Sequence, residues 1–103
     1  MKIILAAVVA LAPLAVHAED DKCAQLGGLA ATIMTKRQEG VPMSSLMNVD
    51  IAEDMRAIAT AMIIGAYGMP RMSSEAGKLR SVQDYRNAFE LDCYKTEAEA
   101  EGG

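Results

Sequence analysis

Tryptophan is absent from this chain, phenylalanine occurs once and tyrosine three times, so any core must be filled by aliphatic side chains and methionine. Cysteine is scarce too, with Cys23 and Cys93 alone, and the single histidine is His17. The absence of a C-x-x-C pair and of a histidine beside either cysteine argues against a redox or metal pair. Positive charge is in deficit: 10 Lys and Arg stand against 14 Asp and Glu, a formal charge of −4. A nucleic-acid binder shows the reverse, a basic stripe that neutralises phosphates. Strand-like alternation and internal repeats are missing. So is a Gly-rich phosphate loop, because Gly27-Gly28 sits inside a helical pattern without the required spacing, lysine or preceding strand. At 103 residues the chain has room for one small domain and no multi-domain enzyme.

What is present begins with a leader. Lys2 precedes an unbroken apolar run from Ile3 to Val16, and Val16-His17-Ala18 offers small or aliphatic residues at −3 and −1 before Glu19. This pattern predicts a secretory signal peptide over 1–18, cleaved after Ala18. The run is too short to span a membrane, since 14 helical residues reach about 21 Å against a hydrocarbon core of roughly 30 Å. The charged run Glu19-Asp20-Asp21-Lys22 directly before Cys23, where a lipoprotein needs a small or aliphatic segment, argues against lipidation. Cleavage removes Lys2 and His17, leaving a mature chain without histidine. In an oxidising compartment Cys23 and Cys93 are expected to form one disulfide. Its loop of about 71 residues is worth at most about 4.4 kcal/mol by the chain-entropy estimate.

Four segments of the mature chain carry helical periodicity. From Asp20 to Gln38, Cys23, Leu26, Ala30 and Ile33 recur on one face with Leu29 and Met34 beside them; Asp20 or Asp21 can cap the start, and Gly40 and Pro42 end it. Met43, Leu46 and Met47 mark a short helical piece after Pro42, with Asn48 and Asp50 as caps for the next segment. From Ile51 to Tyr67, the stripe Ile51, Met55, Ile58, Met62 and Ala66, widened by Ala52, Ala59, Ile63 and Tyr67, predicts the most buried helix. Gly65 in its interior costs about 1 kcal/mol unless a neighbour packs closely on it. After Ser73 or Ser74, the residues Leu79, Val82, Tyr85, Arg86, Phe89 and Cys93 repeat at helical spacing, with Arg86 the exception on the stripe. A disulfide between the first and last helices requires a closed path. The fold expected is all-α, a compact three- to four-helix bundle over 19–95 closed by Cys23–Cys93. Residues 96–103 read as a frayed acidic tail.

The loss of histidine removes the commonest general base, the usual partner of a nucleophile and the commonest metal ligand. No enzyme and no cofactor are expected. Methionine is the conspicuous enrichment, with eight residues. The pairs Met43/Met47 and Met69/Met72 could offer soft ligands to Cu(I), whereas Met34, Met55 and Met62 are suited to filling an aromatic-poor core. The junctions Lys36–Met43 and Ala66–Arg71 each combine Gly, Pro, Met and Arg. Placed at one end of the bundle, Arg37, Met43, Tyr67, Met69 and Arg71 would form a partner-binding surface of the residue types enriched at interfaces. The competing explanation is that these residues only build turns.

With the leader, Cys23, the run from Ile33 to Met43, the Ala66-Tyr67 to Pro70-Arg71 turn and Phe89 to Cys93 in view, the chain resembles small exported helical proteins of proteobacteria and their phages. The resemblance covers nearly the whole mature chain. It implies an envelope location, usually the periplasm, and brings no catalytic residues. Small periplasmic acid-stress chaperones and phage-encoded exclusion or lysis-control proteins share size and compartment. The resulting expectation is a periplasmic or secreted, non-catalytic protein that binds another envelope protein, not nucleic acid, and does not stay in the membrane. The alternatives are an acid-stress chaperone and a Met-rich Cu(I)-binding protein.

Overall fold

The computed structural model describes residues 21–102, and the expected signal peptide lies outside them. The fold is all-α. Helix α1 spans Lys22–Glu39, α2 Met43–Met47, α3 Arg56–Tyr67 and α4 Glu75–Gly102, with a 3₁₀ turn at Glu53–Met55 leading into α3. No helix among the described residues is long and apolar enough to cross a membrane.

The local signals act where their chemistry places them. Asp21 caps α1 by accepting from the Ala24 N–H at 3.0 Å, and Lys36 and Arg37 lie in the last turn, where the helix dipole favours cations. Gly40 closes α1 at φ 86°, a left-handed conformation, and the N–H groups of Gly40 and Val41 return to Arg37 O and Lys36 O. Of the two serines before α4, Ser74 is the cap, its Oγ accepting from Gly77 N–H at 3.0 Å.

Helices α1 and α4 run antiparallel over most of α1. The Cys23–Cys93 disulfide joins them at one end, with a Cα–Cα distance of 5.6 Å. Gly27 lies under the side chain of Glu90 one turn further along, and Gln38 meets the start of Met72 at the other end. Helix α3 packs on the same pair. The core consists of Ala30, Ile33 and Met34 from α1, Met62, Ile63 and Ala66 from α3, and Tyr85 from α4. Leu26, Leu29, Met43, Leu46, Ile58, Tyr67, Val82 and Phe89 pack around it, and Tyr85 and Phe89 meet edge to face at 5.1 Å. Met34 and Met62 are among the largest fully buried side chains, the gap-filling role their flexibility suits.

Four expectations need correction. The helix anticipated from Ile51 begins only at Arg56, because the Arg56 guanidinium donates to Ile51 O at 3.1 Å and holds the preceding chain in a looser path. Asn48 does not cap that segment but closes α2, its Nδ2 donating to Ser44 O at 2.7 Å. Burial is shared between α1 and α3, and Ile64 of α3 is 55% exposed, as is Leu79 of the α4 stripe at 59%. Finally, α4 does not stop near Lys95. Ala98, Ala100 and the intervening glutamates are good helix formers, and the segment continues as a solvated helix to Gly102.

Candidate functional site

The two junctions singled out by their composition do meet at one end of the molecule. Arg37 Nε and Nη2 both donate to Met69 O, at 3.0 and 2.9 Å, and the guanidinium lies 5.2 Å from the centre of the Tyr67 ring. Tyr67 donates its hydroxyl to Val41 O at 2.5 Å. Arg71 Nε donates to Gln38 O at 3.2 Å, and its guanidinium covers Gly40 so closely that a Cβ there would lie 3.0 Å from Cζ. Met43 is half-buried against the core, and Met69 is 45% exposed.

The residue that organises this end is Gln38, which sequence reading passed over. It is 2% exposed. Its Nε2 donates to Pro70 O at 3.1 Å and reaches Met34 Sδ at 3.5 Å, while its Oε1 accepts from Met72 N–H at 2.8 Å. One amide therefore satisfies two backbone groups of the 68–72 loop, and Arg37 and Arg71 bind carbonyls on either side of the same junction. The polar atoms of Arg37, Tyr67 and Arg71 hold the chain to itself. This cluster is a latch between α1 and the α3–α4 loop. The register of α1 places Gln38 on the buried face, in line with Met34 and Ala30, while its polarity conceals this; the loop folding over it supplies the amide's partners.

A different region offers space. Between α1, the 41–51 connection and α3 lies an open groove of about 380 Å³, lined by Leu29, Thr32, Ile33, Lys36, Val41, Ser45, Leu46, Val49, Ile51 and Ile63. Its origin is local. Leu29, Thr32, Ile33 and Lys36 stand at i, i+3, i+4 and i+7 on one face of α1. Pro42 opens α2 and Asn48 closes it after five residues, and the connection that carries them supplies the opposite wall through Val41, Ser45, Leu46, Val49 and Ile51. Val49 is 52% exposed on the rim. Thr32 donates its hydroxyl back to Gly28 O at 3.0 Å, which leaves Lys36 as the one charged group among the lining residues. A smaller cleft of about 290 Å³, lined in part by Glu39, Glu75 and Lys78, is of mixed charge.

Near the disulfide, Tyr94 donates its hydroxyl to Asp21 Oδ2. That bond, with the Ala24 N–H, holds the Asp21 carboxyl below the usual carboxylate range. The same bond pushes the Tyr94 hydroxyl up to about 12. Tyr85 is raised by burial, and its hydroxyl donates to Met62 O at 2.6 Å. The one cluster of potential metal-ligating groups among the described residues joins Cys23, Cys93 and Glu97, and the disulfide takes both sulfurs.

Compared with protein-family models, with curated proteins and with solved structures, the chain matches none.

Proposed function

We propose that this chain is a non-catalytic binding protein of the bacterial envelope, delivered to the periplasm by its leader, and that it binds an apolar group of another envelope component in the groove between α1, α2 and α3. The observation that carries the reading is the groove itself. Single exposed apolar residues such as Ile64 and Leu79 are ordinary, but Leu29, Val41, Leu46, Val49 and Ile51 together line one accessible concavity beside the core residues Ile33 and Ile63. The disulfide supports an oxidising compartment. Arg37, Tyr67 and Arg71 then serve to hold the α1 and α3 ends that frame the groove, and their role in binding is indirect.

The test is binding of an uncharged solvatochromic dye, Nile red, at neutral pH. Wild type is expected to shift and enhance its emission, Val49→Glu to abolish the effect, and Arg71→Ala to leave it within twofold. Equal emission from wild type and Val49→Glu would sink the reading. Enhancement that appears only in acid would favour an acid-stress chaperone instead.

A further inference from the structure

Within that reading of the groove, on which this step rests, we propose that the ligand is a single-chain amphiphile with one carboxylate head, of the fatty-acid class, and that Lys36 receives the head. Three observations converge. The volume, about 380 Å³, lies toward the lower end of small-molecule sites, roughly 300–1,000 Å³, and suits one alkyl chain better than a packed helix. The lining is predominantly apolar, with Thr32 and Ser45 its neutral polar residues and no acidic residue, and carries its single charge at Lys36. In a chain with an acidic excess, a lone ammonium beside an apolar trough selects an anion at one end of the occupant.

Lys36 is available for that contact. Its ion pair with Glu39 is long, 3.9 Å, and both side chains are at least half exposed, the setting in which such pairs contribute little and exchange readily. The same Glu39 decides the head group. Any anion at Lys36 also meets the neighbouring carboxylate, and a carboxylate head, with one negative charge, meets about half the repulsion that a phosphate dianion would.

Calorimetric titration of the purified, oxidised protein, expressed with its own leader, tests this with decanoate, dodecanoate, dodecanol, dodecyl phosphate and dodecyltrimethylammonium, each below its micelle threshold. Dodecanoate is expected to bind at one per chain and decanoate about fifteenfold more weakly, from about fourfold per methylene. Lys36→Gln should weaken dodecanoate about three- to tenfold and leave dodecanol unchanged. Lys36 and Val49 are exposed enough for their variants to fold, which circular dichroism verifies. Alkyl compounds binding alike regardless of head group, or dodecanoate insensitive to Lys36→Gln, would overturn the head-group assignment while leaving the groove in place. Tighter binding of the phosphate would overturn the choice of carboxylate. No binding of any alkyl compound by a wild type that still takes up Nile red through Val49 would overturn the ligand class and point to an apolar protein segment. Loss of both would fell the groove reading as well.

Discussion

Gln38 continues the buried series Ala30, Met34, Gln38 along one face of α1, and it is the most demanding polar residue of the fold. Gln38→Leu keeps the bulk but leaves Pro70 O and Met72 N–H without their partner, an expected loss of about 2–4 kcal/mol, read as a lower urea midpoint. Arg71→Ala removes an exposed contact and should cost under about 1 kcal/mol. At the opposite end, Asp21 sets a pH dependence whose direction follows from its lowered pKa. The folded state prefers the carboxylate, so its contribution is present above the ordinary value near 3.8 and is lost as pH falls through the lowered one. The difference in urea midpoint between wild type and Asp21→Asn should therefore be largest above about pH 5 and close in acid. Tyr94 works in the other sense: its contribution is present below its ordinary pKa of 10.0 and is lost as pH rises through about 12. The α1 and α4 caps, the Gly40 stop and the disulfide partners were legible in the sequence because each is a local or compositional signal. Gln38 was less so: the register of α1 puts it on the buried face, but its hydrogen-bond partners belong to a loop more than 30 residues away.

Among the elements, the glycines separate by what lies over them. Gly65 faces the Tyr85 hydroxyl, 2.5 Å from where a Cβ would sit, and that hydroxyl is fixed to Met62 O. The suspicion that a neighbour must pack on Gly65 is thus met by a specific atom, and Gly65→Ala should destabilise by about 1–3 kcal/mol. Gly28 has nothing within 4 Å of a Cβ, so Gly28→Ala should stabilise by about 0.5–1 kcal/mol, measured by thermal or urea unfolding. Gly27 is roofed at least as closely as Gly65, by the Glu90 side chain, whose Oε2 is tied to Arg86 at 3.1 Å. Arg86, the polar exception on the α4 stripe, thereby anchors the side chain that roofs α1. The groove was harder to foresee. Its α1 wall is a visible i, i+3, i+4, i+7 series, but its other wall depends on how the connection carrying Pro42 and Asn48 is placed opposite that series, which periodicity does not encode. The helical continuation past Lys95 was also missed, since an acidic segment with no large apolar residue satisfies helix propensity without burying anything. Ending the chain at Lys95 should change stability by less than about 0.5 kcal/mol.

For the whole molecule, the disulfide and the α1–α4 pairing do the same topological task from two directions. Replacing Cys23 and Cys93 by alanine should cost about 2–4 kcal/mol. At about 4–8 °C per kcal/mol for a domain of this length, the melting temperature should fall by about 10–30 °C in a calorimetric scan. Pairing the first helix with the last also imposes an order in time. A chain made from its N-terminus presents α1 early, but Tyr85, Phe89 and Cys93, which complete its packing, arrive only when nearly all of the sequence has emerged. Until then α1 has α3 to pack on but lacks its main partner, and a helix of 18 residues without its full packing is marginal in water. The nascent chain therefore stays incompletely packed during synthesis and locks only at completion, a delay written into the order of its helices.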